Sequence, residues 1–254
     1  MRTGNAEDFR EGSVQMWDKE LWTSTSEHQK THFFAKSNLT LRAILRLGHL
    51  WLSGVTHSTA VTLTGHSSKT ISSFYAYFRQ LIVQSLQEED QIIGGPDIIV
   101  EVDETKLGKR KYNRGHRVEG VWVVVGIERT MAGKVFVVPV ERRDAETLTE
   151  IVSRHVAQGS IVNTDCWRGY SRIAGVDGLR HQTVNHSEHY LDPITGACTN
   201  TVEGVNSALK RKIPVRNRVR EGIEGHLGEY IWRRENATTL WDSFIQALVD
   251  IHYD

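Results

Sequence analysis

The chain has 254 residues, with 31 Lys and Arg balanced by 31 Asp and Glu, which is length enough for one large domain or two small ones with a sizeable core. No apolar run approaches the roughly 18 residues of a membrane-crossing helix, and the opening MRTGNAEDFREG lacks the apolar centre of a signal peptide. Cys166 and Cys198 lie too far apart in sequence to suggest a disulfide scaffold or a zinc ribbon, so the expected setting is inside a cell, nuclear or bacterial-cytoplasmic, with no membrane partner.

Net neutrality hides a segregation of charge. Between Glu27 and Glu88 there is no acidic residue, while Lys30, Lys36, Arg42, Arg46, Lys69 and Arg79 are present with five histidines. Two further stretches, 106–117 and 210–220, each hold six basic residues and no acid. Such surfaces attract phosphates.

Residues 1–36 mix charge and polarity without periodicity and are expected to form a partly disordered leader. After the capping residues Ser37, Asn38 and Thr40, the run LRAILRLGHLWLSG sets Leu41, Ile44, Leu45, Leu47 or Gly48, and Trp51 on one helical face, and Gly54 ends it. A short helix follows, then a turn at Gly65 and His66, a cap at Ser67 or Ser68, and a longer helix that would bury Ile71, Phe74, Tyr75, Phe78, Leu81 and Ile82. Helix, glycine turn and capped helix is the helix-turn-helix pattern, here over 37–87, although an ordinary three-helix packing unit has the same outline. The absence of acids favours DNA, with Lys69 and Ser72 as candidate contacts.

The acidic and Gly/Pro-rich residues 88–97 read as a linker, and 98–254 as a second domain. Strands are predicted at 98–104, 117–128 and 134–140, a helix from the cap Asp144 to His155, a strand at 160–164 ending on Asp165, and a fifth at 182–185. Helices follow at 200–212 and from 222 onward. That order is the order of a ribonuclease H-like fold, so the expected class is α/β: a mixed five-stranded sheet with flanking helices, preceded by the all-α unit.

Asp103 would end the first strand, Asp165 the fourth, and Glu203 would open the helix TNTVEGVNSALKRKIP. In such a fold the first and fourth strands are neighbours, and three converging carboxylates repel one another unless cations neutralise them. Oxygen-only ligands select Mg²⁺ or Mn²⁺. Two such ions about 3.5–4 Å apart activate a water or a 3′ hydroxyl and stabilise the leaving oxygen of a phosphodiester. The bases that follow Asp103, namely Lys106, Lys109, Arg110, Lys111 and Arg114, would then hold the phosphate backbone beside the metals, as would Arg211 and Lys212 in the later patch.

VDET, NTDCWRGY, VNHSEHYLDPITGACTNTVEGVNSALKR and EYIWRREN resemble the DDE transposases of the Merlin type and their bacterial insertion-sequence relatives, the ISXO-like transposase domain, over roughly 98–236. The resemblance implies a triad of Asp103, Asp165 and Glu203 holding two Mg²⁺ or Mn²⁺ ions. It also implies that Lys210, two helical turns past Glu203, contacts DNA near the cleaved phosphate, and that Arg233 and Arg234 brace or contact DNA beside Trp232. Trp232 is more simply a core aromatic, and His186 and His189 are either phosphate contacts or surface histidines. Two features depart from the family pattern: Cys198 stands where relatives often carry His, and the cysteine-bearing zinc ribbon of many members is missing. The implied function is cleavage at element ends and strand transfer to target DNA, with double-stranded DNA as partner and a homo-oligomer on that DNA. A domesticated DNA-binding protein without mobility is the alternative, and a host nuclease acting on RNA–DNA hybrids fits the helical unit poorly.

Overall fold

The computed structural model describes residues 37–86, 91–108, 120–185 and 196–250. The chain divides into two units, one of Met1–Phe74 with Ile245–Asp254 and the other of Tyr75–Phe244. In the first, the Thr40 hydroxyl accepts the Ala43 N–H at 3.3 Å and starts α1 (Leu41–Leu52). Ile44, Leu47, Gly48, Trp51 and Leu52 are its buried residues, at the three- and four-residue spacing of one helical face. Thr56 caps α2 (His57–Thr64), which ends at Gly65 in the left-handed conformation, φ 70°. Ser67 accepts the Thr70 N–H at 3.1 Å where α3 (Ser68–Gln84) begins. The His57 ring nitrogen Nε2 lies 2.9 Å from both the Ser68 carbonyl and the Ser72 hydroxyl, tying α2 to the start of α3.

The second unit is built on a sheet. Its strands are β2 (Ile99–Leu107), β3 (Val121–Glu128), β4 (Val135–Val140), β6 (Ile161–Asp165) and β7 (Arg180–Val184), in the order β4-β3-β2-β6-β7. The β4-β3-β2 pairings are antiparallel, and those of β2-β6-β7 are parallel. A separate parallel pair joins β1 (Ile93–Gly94) to β5 (Val156–Ala157). β3 reads VWVVVGIE, nearly continuous in apolar residues, because helices cover both faces of the sheet. On one face Leu107, Val123, Val125 and Ile127 share a core with Val202, Val205 and Leu209 of α5 (Asn200–Lys212) and Ile223, Leu227 and Ile231 of α6 (Ile223–Glu235). On the other, Val100, Val102, Val124 and Phe136 pack with Leu148, Ile151 and Val152 of α4 (Ala145–His155). Side chains alternate along a strand, so Glu101, Asp103 and Thr105 of β2 face the α5 side while Glu104 and Lys106 face the α4 side.

Two expectations need correction. The first strand does not stop at Glu104: pairing with β3 continues from Glu104↔Val124 to Leu107↔Val121, and fully buried Leu107 anchors the extension. Asp103 and Glu104 therefore stand inside a strand and not at its end. The last helix is two, α6 and α7 (Leu240–Asp250), because Asn236 donates both its backbone N–H and its side-chain Nδ2 to the Trp232 carbonyl and closes α6. The β1–β5 pair has no counterpart in the sequence reading. The leader 1–36 and the start of the predicted 117–128 strand, up to 119, lie outside the described residues. No helix among the described residues is long and apolar enough to cross a membrane.

Candidate active site

β2 and β6 run parallel and pair as far as Glu101 opposite Asn163, two residues before Asp103 and Asp165 on their strands. Glu203 comes from the first turn of α5, which packs on that face. The charges of Asp165 and Glu203 both reach Asp103. Burial first, then the charge of Glu104, and further the charges of Asp165 and Glu203, push the Asp103 carboxyl up to about 7, against an opposing hydrogen bond from the Glu104 backbone. Asn206, one turn after Glu203 and buried, donates Nδ2 to Asp103 Oδ2 at 2.8 Å. Asp165 Oδ1 accepts the Trp167 N–H at 2.9 Å, which folds the chain sharply after β6.

Among the described residues, no three His, Cys, Asp or Glu side chains already enclose a metal position. The donors that are present nevertheless suit a hard divalent cation. They are carboxylate oxygens, Asp103 among them repelled by Asp165 and Glu203, and beside them the buried Asn206 Oδ1 has no hydrogen-bond partner.

The other acids of β2 are served differently. Glu101 is fully buried, and its Oε2 accepts the backbone N–H groups of Thr201 and Val202 at 2.8 and 3.0 Å. Its Oε1 accepts the Thr201 hydroxyl at 2.9 Å and the Cys198 thiol at 3.6 Å, and Arg129 Nε stands 3.6 Å away. Glu104, on the opposite face, accepts the Tyr170 hydroxyl and pairs with Arg143 at 3.2 Å. Arg143 lies 3.6 Å over the Trp122 ring and 5.1 Å from the Trp167 ring. Burial, then the Glu104 charge, pushes the Tyr170 hydroxyl well above its ordinary range, so it remains a donor. Sequence reasoning missed Glu101, Asn206 and this Glu104 cluster. The one available signal was Asn206 three positions after Glu203, on the same helical face.

The remaining predicted residues are dispersed. Lys210, Arg211 and Lys212 are exposed on the last turn of α5. Lys106 faces away from Asp103, with its ammonium 5.7 Å from the Trp122 ring. Lys69 and Ser72 are exposed near the start of α3, the Ser72 hydroxyl being engaged by His57. Arg233 Nε donates to Glu229 and Arg234 Nε to the Gly133 carbonyl, each at 2.8 Å, while Trp232 is buried in the core. Lys109, Arg110, Lys111, Arg114, His186 and His189 lie outside the described residues.

Fold and site together define an α/β protein with an acidic cluster on one face of a mixed sheet. Residues 93–234 match the ISXO2-like transposase domain, more than half of the chain, and the chain belongs to that family. A Haemophilus influenzae protein described as an uncharacterized transposase-like protein is 31% identical over 111 residues, covering 42% of this chain and 85% of that one. Among solved structures, the Drosophila P element transposase strand transfer complex aligns over 95% of this chain and 67% of that one, at 13% identity and a TM-score of 0.31, a likeness too loose to bear on fold or function.

Proposed function

We propose that the chain is a metal-dependent DNA transposase that cleaves phosphodiesters at element ends and joins the freed 3′ hydroxyl to target DNA. In this reading residues 98–254 form a ribonuclease H-like catalytic domain, 88–97 a linker, and 37–87 a helix-turn-helix unit. The observation that carries it is the crowding of Asp103: a partly buried carboxyl pushed up to about 7 with the charges of Asp165 and Glu203 acting on it. Family membership gives that cluster its chemical meaning.

Asp103, Asp165 and Glu203 would hold Mg²⁺ or Mn²⁺, in a two-ion site that lowers the pKa of the attacking hydroxyl and stabilises the departing oxygen. Asn206 holds the Asp103 carboxylate in place through its 2.8 Å hydrogen bond to Oδ2. Lys210, seven residues after Glu203 on α5, positions a phosphate, and Arg211 and Lys212 continue the basic surface. Lys106, Lys109, Arg110, Lys111 and Arg114 would guide the backbone of the same double-stranded DNA, and Lys69 and Ser72 would contact it from α3. Arg233 and Arg234, tied to Glu229 and Gly133, act as braces in this scheme. A homo-oligomer assembled on the DNA would bring two ends together.

The test is cleavage of supercoiled or end-labelled DNA with Mg²⁺ or Mn²⁺ by the wild type, Asp165→Asn and Lys210→Ala. Asp165→Asn should lose cleavage by orders of magnitude while keeping DNA affinity, and Lys210→Ala should lose less. An Asp165→Asn protein that cuts as well as the wild type refutes the mechanism. A wild type that binds DNA and nicks nothing makes the chain a domesticated binder.

A further inference from the structure

Glu101 sits two residues before Asp103 on the same face of β2, and no water reaches it. A buried charge of this kind persists only when it is fully hydrogen-bonded. Its donors come almost entirely from the start of one helix. The Thr201 and Val202 N–H groups, at 2.8 and 3.0 Å, belong to the first turn of α5, which has no intrahelical acceptors for them. The Thr199 side chain, in the usual capping position, makes no capping bond. The Thr201 hydroxyl adds a third bond at 2.9 Å. The carboxylate also faces the positive end of the helix dipole, and Arg129, at 3.6 Å, supplies a full positive charge. Cys198 closes the shell, its thiol 3.6 Å from Glu101 and 3.7 Å from Arg129 Nη1.

A sheet residue thus does the work that the helix's own cap leaves undone, and the turn it grips carries Glu203. We propose that Glu101 is the positioning residue of the acidic site: it pins the N-terminus of α5 to β2 and so fixes where Glu203 stands relative to Asp103 and Asp165. This rests on the reading of those three residues as a metal-binding triad. The neighbouring Cys198 then has a concrete part as a small donor that completes the Glu101 shell.

The experiment uses the full chain and Mn²⁺ as probe, with wild type, Glu101→Gln, Thr201→Val and Asp165→Asn compared by calorimetric titration of Mn²⁺ and by amide hydrogen exchange. Gln keeps the size of Glu but loses the charge and one acceptor, so the Thr201 and Val202 amides should exchange faster. The Mn²⁺ dissociation constant should rise about 10- to 100-fold, as when a support behind a metal ligand is removed, with DNA affinity unchanged. Thr201→Val leaves the backbone donors in place and is the safeguard should Glu101→Gln fail to fold; it should weaken Mn²⁺ about threefold. Wild-type Mn²⁺ affinity in Glu101→Gln, or in Thr201→Val, alongside weakened affinity in Asp165→Asn, overturns the role of Glu101 alone and leaves it a staple of the fold. Unchanged Mn²⁺ affinity in Asp165→Asn overturns the triad itself and the positioning role with it.

Discussion

Glu101 and Asp103 lie two residues apart on one face of β2, and their surroundings are opposite. Around Glu101 every near group is a donor or a cation: two helix N–H groups, a hydroxyl, a thiol and a guanidinium. Around Asp103 the donors are the Asn206 amide and the Glu104 backbone, and the charges that act on it are those of Glu104, Asp165 and Glu203. Glu104, on the far face, resembles Glu101 in having its own hydroxyl and guanidinium. Had the fold needed only to bury an acid at Asp103, the same kinds of donors would have served. One carboxylate crowded by others, between two that are well matched, fits the proposed role of Asp103 as a ligand for an external cation.

Removing each charge in turn tests that contrast. The largest effect is expected from Asp103→Asn, which should abolish metal-dependent cleavage by orders of magnitude. Its metal-free melting temperature should not fall, because the substitution relieves repulsion; a clear loss of stability would mean that Asp103 is matched like its neighbours. Glu104→Gln should do the reverse. It breaks the ion pair with Arg143 and weakens the bond from Tyr170, so urea unfolding should show a loss of about 2 kcal/mol, with residual cleavage far above that of Asp103→Asn. Equal cleavage defects in the two variants would erase the distinction between the faces of β2.

A smaller effect concerns a half-buried base away from the cluster. Burial first, then the Arg79 guanidinium, pushes His226 of α6 down to about 4, with Glu229 opposing. The unfolded imidazole titrates near 6.5, so the folded state prefers the neutral form. That preference contributes stability above pH 6.5 and is lost as the pH falls from 6.5 toward 4. Denaturation midpoints should therefore drop between pH 7 and 4.5, and His226→Gln should flatten part of that slope. An unchanged slope in the variant would place the pH dependence elsewhere, with His155 and His181, also pushed down by burial, as the next groups to replace.

Much of the fold was legible because it is local. The Thr40 cap, the Gly65 stop and the three- and four-residue spacing of Ile44, Leu47 and Trp51 are signals within a few residues of one another. Apolar runs marked β3 and β4, and Trp232, read as a core aromatic, is buried. The misreadings are non-local. β2 continues past Glu104 because β3 pairs with it as far as Leu107↔Val121, and two adjacent acids look like a strand end only when that partner is unseen. Glu101 reads as an ordinary alternating charge in VEVDET, since its partners lie about a hundred positions later in the chain. Asn206 was within reach of helical spacing from Glu203, but nothing in its own neighbourhood says that its amide meets Asp103. The break between α6 and α7 turns on a single Asn side chain, weaker punctuation than Gly or Pro.

The central claim is that Asp103, Asp165 and Glu203 form a cation site. Its most direct test is anomalous diffraction from crystals of the full chain soaked in Mn²⁺, with Asp165→Asn crystals as control. The account predicts Mn²⁺ density against the Asp103 and Asp165 carboxylates in the wild type and its loss in the variant. Wild-type crystals that take up Mn²⁺ elsewhere and leave this face of β2 without it, from a protein that cleaves DNA with Mn²⁺, would contradict it.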